Sequence, residues 1–166
     1  MRNLVFFAFV IGLFAVLAGN SLSTIPDAPL KESRKHHRTK IAHGGGDVVL
    51  SRSGNGHYFA DVEVNGTHLR MVADTGATLM ALSMEDAEAA GIDTENLQFT
   101  STVSTANGDA GAAVVLLDEV SVGSITRHNV QAVVTPGLAT GSLLGMSFFR
   151  TLSKVAMESD EMVLQD

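Results

Sequence analysis

From Asp47 onward, short stretches of alternating apolar and polar residues are separated by turns rich in glycine and asparagine. The clearest stretch is His57 to Val64, which Asn65-Gly66 joins to a returning apolar segment, Leu69 to Ala73. Alternation with a period of two is typical of strands that bury one face, and Asn-Gly is the pair that two-residue hairpin turns favour. Short strands at this spacing predict an all-β barrel or sandwich for residues 47–166.

A second, longer hairpin is predicted further along the chain. The segments Phe99 to Ala106 and Ala112 to Val120 flank the sequence Asn107-Gly108-Asp109-Ala110-Gly111. Glycine-rich residues between two strand patterns indicate a hairpin with a loop at its end, so residues 107–111 are predicted to form a movable tip.

Two short helices are predicted between the strands. Ser83 has the character of an N-cap, with Asp86 in the third helical position, and Gly91 would end the helix after Ala90. A short amphipathic stretch from Met146 to Leu152 predicts the other helix.

Charge and cysteine content exclude several kinds of function. Residues 1–46 carry six Lys or Arg against two acids, whereas residues 47–166 carry five against sixteen. Phosphate binding needs a basic surface, so we expect no nucleic-acid partner for the acidic body. The chain has no cysteine, which excludes disulfides, thiolate metal sites and cysteine nucleophiles.

The N-terminal residues have the composition of an export segment. An uncharged apolar run from Leu4 to Ala18 follows Arg2, as in segments that engage the export machinery. As a helix its fifteen residues would span about 22 Å, short of a hydrocarbon core of about 30 Å. By length, a cleaved signal and a membrane anchor both fit. We therefore predict an anchor or signal at residues 1–19, a flexible polar and basic linker at 20–46, and one domain at 47–166.

The stretch richest in chemical information surrounds Asp74. Apolar residues from Met71 to Ala73 run directly into Asp74-Thr75-Gly76, and an apolar strand pattern follows through Leu82. A carboxylate between two apolar strands is costly to bury without a hydrogen-bonding partner, so a carboxylate kept in such a place indicates a functional role. The alternative is a turn in which Asp74 only caps its own backbone.

The order of motifs resembles that of the retropepsin-like aspartic proteases. Asp-Thr-Gly-Ala at 74–77 is followed by the hairpin, and then by Leu143-Leu144-Gly145 before a short helix. The resemblance covers nearly all of residues 47–166. Residues 105–108 and 142–148 are similar to bacterial members that carry one protease domain behind an N-terminal membrane anchor.

This resemblance implies an all-β, single-lobe acid protease barrel with one or two short helices and a flap hairpin. It implies that Asp74 is the catalytic acid of an aspartic endopeptidase that uses no cofactor or metal. Thr75 would link two active-site turns, and Gly76 would let a backbone N–H approach the carboxylates. Ala77 would complete the turn. The expected flap residues, which would contact substrate, are Ala106, Asn107, Gly108 and Asp109. The residues expected to support the Asp74 turn are Leu143, Leu144 and Gly145. The flap of this chain lacks the run of consecutive glycines that retroviral members have. How the flap closes and which peptides it selects therefore cannot be inferred from those members.

A single Asp-Thr-Gly motif in each chain indicates a homodimer. Peptide hydrolysis by this route needs one ionised and one protonated carboxyl group around a water molecule. Since the chain has a single Asp-Thr-Gly, a second copy must supply the partner, with both Asp74 residues on a two-fold axis. We expect its substrates to be peptides or proteins. We also expect the protein to be anchored in the inner membrane with its protease domain on the periplasmic side; the alternative is that it is secreted after signal cleavage.

Two other functions compete with this hypothesis. A catalytically silent domain with the same fold could dimerise or bind extended peptides by strand addition. A metal-dependent hydrolase needs three or four converging ligands, whereas His57, His68 and His128 are scattered over different predicted strands.

Ala77 leads to an expectation about pH. A Ser or Thr at this position could donate a hydrogen bond to a carboxylate and stabilise its charged form, whereas Ala cannot. We therefore expect the pH–rate profile of peptide cleavage to peak at mildly acidic to near-neutral pH. A maximum below about pH 3 would contradict this interpretation.

Overall fold

The computed structural model of the chain describes residues 40–41, 46–105, 108–138 and 141–166. Within these ranges the chain forms eleven strands and two short helices, which confirms the predicted all-β class. The elements are β1 (Lys40–Ile41), β2 (Val48–Ser51), β3 (Phe59–Val64), β4 (Thr67–Ala73), β5 (Met80–Leu82), α1 (Met84–Ala89), β6 (Ser101–Thr105), β7 (Gly108–Val122), β8 (Ile125–Val134), β9 (Leu143–Leu144), α2 (Met146–Phe149), β10 (Lys154–Glu158) and β11 (Glu161–Gln165).

Most of the strands belong to a barrel. A seven-stranded sheet has the order β3-β4-β9-β5-β8-β7-β6, and an additional pairing of β3 with β7 closes it. The short strand β9 lies between β4 and β5, parallel to the first and antiparallel to the second. Since β4 and β5 lead into and out of the Asp74 turn, β9 lies directly beside that turn.

A second, four-stranded sheet has the order β1-β2-β11-β10. All its pairings are antiparallel. Its first strand, Lys40–Ile41, belongs to the segment predicted as a linker, and it pairs with Val48 and Val49.

Local signals in the sequence account for the turn and cap that frame the barrel. Asn65 and Gly66 both have positive φ, at 49° and 82°, as the tight turn between β3 and β4 requires. The Ser83 side chain accepts a hydrogen bond of 3.1 Å from the Asp86 N–H at the start of α1. Gly91, with φ of 78°, follows the last helical turn. These predictions are confirmed.

The barrel interior is filled by apolar side chains from the inward faces of the strands and by α2. Phe148 is fully buried, and its ring lies edge-on to that of Phe149 with the centroids 6.3 Å apart. Fully burying such a side chain contributes about 1.5–3 kcal/mol, so α2 stabilises the core of the barrel. The largest fully buried side chains include Leu50, Met71, Met80, Leu82, Leu117, Ile125, Leu144, Met162 and Leu164.

The hairpin of β6 and β7 differs from the prediction at its tip. The two strands remain paired from Ser101↔Ala112 to Thr105↔Gly108, so residues 108–111 are strand, and the predicted loop there was wrong. Small side chains do not prevent backbone pairing, and the Ser104 hydroxyl adds a hydrogen bond of 2.7 Å to the Asp109 carboxylate. Of the residues expected to form the flap, Gly108 and Asp109 lie at the start of β7, whereas Ala106 and Asn107 lie outside the described residues.

Arg127 joins β8 to the segment that follows α2. Its guanidinium donates hydrogen bonds of 3.0 Å and 3.1 Å to the hydroxyl and carbonyl oxygens of Thr151, and it pairs with Asp166. The side-chain hydrogen bond from Arg127 lowers the pKa of the Asp166 carboxyl. The barrel is thus tied to residues beyond β11 as well.

No helix in the part of the chain that the structure describes is long and apolar enough to cross a membrane. The apolar run from Leu4 to Ala18 lies outside the described residues.

Candidate active site

Asp74 occupies a tight turn at the end of β4. Its backbone N–H donates to the Leu144 carbonyl oxygen at 3.0 Å, and its Oδ1 accepts a hydrogen bond of 2.8 Å from the Gly76 N–H. The Ala77 N–H donates to the Asp74 carbonyl oxygen at 3.3 Å. The half-buried carboxylate is therefore held by the turn itself, which fixes its direction.

Strand β9 connects the two sides of this turn. The Val72 N–H donates to the Ser142 carbonyl oxygen at 2.9 Å, while the Met146 N–H donates to the Ala77 carbonyl oxygen at 2.8 Å. The segment from Leu143 to Gly145 thus lies against both sides of the Asp74 turn.

Gly145 allows β9 to approach this closely. A Cβ atom on Gly145 would lie 2.1 Å from the Leu79 carbonyl oxygen and 3.0 Å from that of Ala77. No side chain fits in that space, so the close packing of β9 against the outgoing side of the turn depends on glycine.

The outer edge of the turn is open to solvent. Thr75 and Gly76 are exposed, as is Thr78. An exposed turn that carries a half-buried carboxylate is sterically accessible to a second macromolecule.

A groove of about 780 Å³ lies on one side of Asp74. Its walls come from the Asp74 turn, from β6 residues 102–105 and from the segment after β8. The other lining residues are mostly apolar or carry hydroxyl groups: Leu79, Ala81, Val133, Thr135, Gly137, Leu138 and Leu143. This volume is within the range that holds a small ligand or several residues of a peptide.

A second cavity of about 410 Å³ shares Asp74 and Leu143 with the groove. Asn55, His57 and Phe59 line it together with Val72 and Ala73. The loop that presents Asn55 and His57 is closed by its own hydrogen bonds, including one of 2.8 Å from the Ser53 N–H to the His57 carbonyl oxygen. Asp74 therefore borders a cavity on each side.

Sequence reasoning missed several residues that line these two cavities. His57 entered the sequence hypothesis only as the first residue of a predicted strand and as one of several scattered histidines. Asn55, Thr135, Gly137 and Leu138 were not predicted to belong to a site. A polar Thr that ends an apolar strand immediately before Pro136-Gly137 was an available signal. The position of His57 depends on how the loop after β2 folds back towards β4, which no local pattern shows.

The described residues contain no group of three or more His, Asp or Glu side chains arranged to hold a metal ion. Among the described residues that line the two cavities, Asp74 and His57 are the ionisable side chains, and Asp74 belongs to both. A half-exposed carboxylate in this setting can accept a proton from water or donate one to a bound ligand.

Comparison with known proteins identifies a matching family and two relatives. The family model described as gag-polyprotein putative aspartyl protease matches residues 60–151. An uncharacterised protein of a Sinorhizobium species, from the cobV 5′ region, is 48% identical over 124 residues, and an uncharacterised protein of Rickettsia prowazekii is 35% identical over 119 residues. These matches cover 74% and 72% of this chain but 53% and 51% of the relatives. The chain thus spans about half the length of these curated relatives.

Two solved structures share the fold. A retropepsin-like aspartic protease from Rickettsia conorii matches with a TM-score of 0.66 and 33% identity, over 73% of this chain and 100% of that one. The EIAV protease in complex with the inhibitor HBY-793 matches with a TM-score of 0.51 and 13% identity, over 65% of this chain and 100% of that one. At 13% identity, the second match shows similarity of fold alone.

Proposed function

The chain belongs to the family of retropepsin-like aspartic proteases, and on this premise we propose that it is an endopeptidase whose two catalytic carboxyl groups are the Asp74 residues of a homodimer. The observation that carries the proposal is the Asp74 carboxylate, held by the Gly76 N–H at 2.8 Å and open to a groove of about 780 Å³.

The chemistry requires two carboxyl groups with different protonation. One takes a proton from the attacking water, and the other donates a proton to the carbonyl oxygen of the scissile peptide bond. Two carboxyl groups about 3 Å apart cannot both ionise, so they share one proton and titrate as a pair. This sharing produces the required asymmetry from two identical residues.

The exposed Asp74 turn supports a shared site. Thr75 and Gly76 lie on its outer edge, so two copies can bring their turns together on a two-fold axis. The described part of the chain contains one Asp-Thr-Gly turn, and a partner copy would supply the second carboxyl group.

The groove supports an extended peptide as substrate. β6 is the terminal strand of the seven-stranded sheet, and its residues 102–105 line the groove. An extended segment beside such a strand can be held by main-chain hydrogen bonds, with alternate side chains directed into pockets. The apolar lining at Leu79, Val133 and Leu143 favours peptides with apolar side chains near the cleaved bond.

We also propose that residues 1–19 place this domain on the periplasmic side of the inner membrane. The apolar run from Leu4 to Ala18 behind Arg2 supports an export segment. Cleavage after Ala18 would instead release the protein, and the apparent mass of the mature protein distinguishes the two outcomes.

A shared site predicts that inactive subunits interfere with active ones. When wild-type protein is equilibrated with about a fourfold excess of Asp74→Asn protein, random pairing leaves about one fifth of the wild-type subunits in fully wild-type dimers. We expect cleavage per wild-type subunit, followed with a fluorogenic peptide, to fall to about that fraction, and specific activity of wild-type protein alone to fall on dilution.

The control for this experiment is the same mass of an unrelated protein, which should leave the activity unchanged. Cleavage per wild-type subunit that stays constant, both on dilution and in the presence of Asp74→Asn protein, would show that one chain is sufficient.

A further inference from the structure

Thr135 is a buried hydroxyl residue at the point where β8 separates from β7. The backbone pairing of these strands ends at Ala113↔Val134. The next N–H, that of Thr135, donates to the Leu82 carbonyl oxygen of β5 at 3.1 Å. The Thr135 side chain nevertheless still contacts β7, since its Oγ1 donates a hydrogen bond of 2.8 Å to the Gly111 carbonyl oxygen. One side chain thus extends the link between the strands beyond the end of their backbone ladder.

This hydrogen bond lies at the base of the β6–β7 hairpin. From Ala112 to its end, the described part of this hairpin is paired within itself, through Ser101↔Ala112 to Thr105↔Gly108. The ladder to β8 begins only at Ala113. The Thr135 hydroxyl is therefore positioned to restrain the hairpin where it leaves the barrel.

Gly137 lies against the same hairpin closer to its tip. A Cβ atom on Gly137 would lie 2.8 Å from the Ala110 Cβ and 3.7 Å from the Thr105 Cγ2. The Cβ of Ala110 is attached to the backbone and cannot rotate away, so a side chain at position 137 would displace the hairpin itself. The Gly137 N–H also lies 3.4 Å from the Thr135 Oγ1, which links the two contacts.

We propose that Thr135 and Gly137 are positioning residues that hold the β6–β7 hairpin in place over the Asp74 groove. The inference rests on the proposed function, because the groove wall formed by β6 residues 102–105 is taken to contact the peptide. Thr135 restrains the base of the hairpin through its hydrogen bond to Gly111. Because Gly137 has no side chain, the hairpin can approach the segment that follows β8 closely. Both residues act on substrate through the hairpin, without a role in proton transfer.

Kinetics of a nearly isosteric variant test the role of the hydroxyl. Thr135→Val keeps the shape of the buried side chain but leaves the Gly111 carbonyl oxygen without this donor. Loss of such a hydrogen bond should raise KM for a peptide substrate by about three- to tenfold and leave kcat within about twofold, because it weakens binding of substrate and transition state alike. Thr135→Ser, which retains the hydroxyl, should restore a KM close to that of wild type.

Thr126→Val is the matched control. Thr126 lies on β8, the strand that Thr135 follows; it is exposed and shares a hydrogen bond of 2.8 Å with Ser121 outside the groove. It should leave both KM and kcat unchanged. A wild-type KM in Thr135→Val, an equal rise of KM in Thr135→Ser or Thr126→Val, or a loss confined to kcat would overturn the proposal.

Amide hydrogen exchange tests the same inference without requiring activity. In Thr135→Val, exchange of the amides in residues 101–111 should become about three- to tenfold faster, whereas exchange in β4 and β11 should not change. Unchanged exchange in residues 101–111 would refute the restraint even if the protein were shown not to cleave peptides. Cleavage that survives in Asp74→Asn would instead refute the proposed function and leave the exchange result valid.

Gly137→Ala provides an independent variant should Thr135→Val fold poorly. It should raise KM through displacement of the hairpin, with faster exchange again confined to residues 101–111. Its control is Gly54→Ala, because Gly54 has no heavy atom within 4 Å of an added Cβ. A Gly137→Ala protein with wild-type KM and wild-type exchange would show that hairpin position does not depend on Gly137.

Discussion

Replacement of Asp74 by Asn is expected to lower kcat for peptide cleavage by about a thousandfold or more, since an amide can neither accept the proton of the attacking water nor donate one as an acid. In a homodimer the substitution removes both catalytic carboxyl groups at once. The fold should survive, because the Asn side chain has nearly the same shape and its carbonyl oxygen can accept the hydrogen bond from the Gly76 N–H, which is 2.8 Å long in the native turn.

The matched control is Asp118→Asn on β7, which neutralises an exposed carboxylate outside the two cavities. It should leave the rate of cleavage of a fluorogenic peptide close to that of wild type. Cleavage by purified Asp74→Asn protein at more than about one tenth of the wild-type rate would show that Asp74 is not the catalytic acid.

A peptide-binding or dimerising module without activity makes a different prediction from the same pair of proteins. The wild type would then bind a peptide without cleaving it, and Asp74→Asn would bind it equally well. Measurement of both binding and product formation therefore distinguishes the two functions.

Gly145→Ala is expected to reduce the free energy of unfolding by about 3 kcal/mol or more, because overpacking of this severity exceeds the usual cost of one extra methyl group. The added Cβ would lie 2.1 Å from the carbonyl oxygen and 2.6 Å from the carbonyl carbon of Leu79. Both are backbone atoms, so relief of the overlap requires β9 to move away from the Asp74 turn.

That movement would also break hydrogen bonds that hold the turn. The bonds from the Asp74 N–H to the Leu144 carbonyl oxygen, 3.0 Å, and from the Met146 N–H to the Ala77 carbonyl oxygen, 2.8 Å, both depend on β9. We therefore expect activity to fall together with stability in Gly145→Ala. Urea unfolding provides the measurement.

Gly54→Ala again serves as the control, and its free energy of unfolding should stay within about 0.5 kcal/mol of wild type. A Gly145→Ala protein as stable as this control would contradict the close contact between Gly145 and the Leu79 backbone.

Features that depend on neighbouring residues in the chain were predictable. The Asn65-Gly66 turn requires two residues with positive φ, and the Ser83 cap requires an oxygen three residues before an unpaired N–H. The Asp74 turn was predictable for the same reason, because apolar residues next to it in the chain mark the strands on both sides. Strand β9 was not predicted, because two apolar residues before a glycine were expected only to lead into a helix and to support the Asp74 turn, as the family resemblance implies.

The end of the hairpin was not predictable from its composition. The sequence Gly108-Asp109-Ala110-Gly111 indicated a loop, yet the backbone groups of these residues pair with β6. Strand pairing at that point depends on the partner strand and on side-chain bonds such as the one from Ser104 to Asp109, and propensity is a weak guide when such contacts decide.

The sequence by itself determined the class of fold and the turn that carries Asp74, because both follow from short-range periodicity or from what one residue type permits. The role expected of residues 143–145 came only from the resemblance to a known family. Only the tertiary structure decided that His57 shares a cavity with Asp74, that Thr135 bonds to Gly111, and that Gly137 packs beneath Ala110. These contacts join residues that are 17 to 27 positions apart in the chain. The closure of the barrel brings them together, and no local pattern of residues records the distance between strands that meet only after folding.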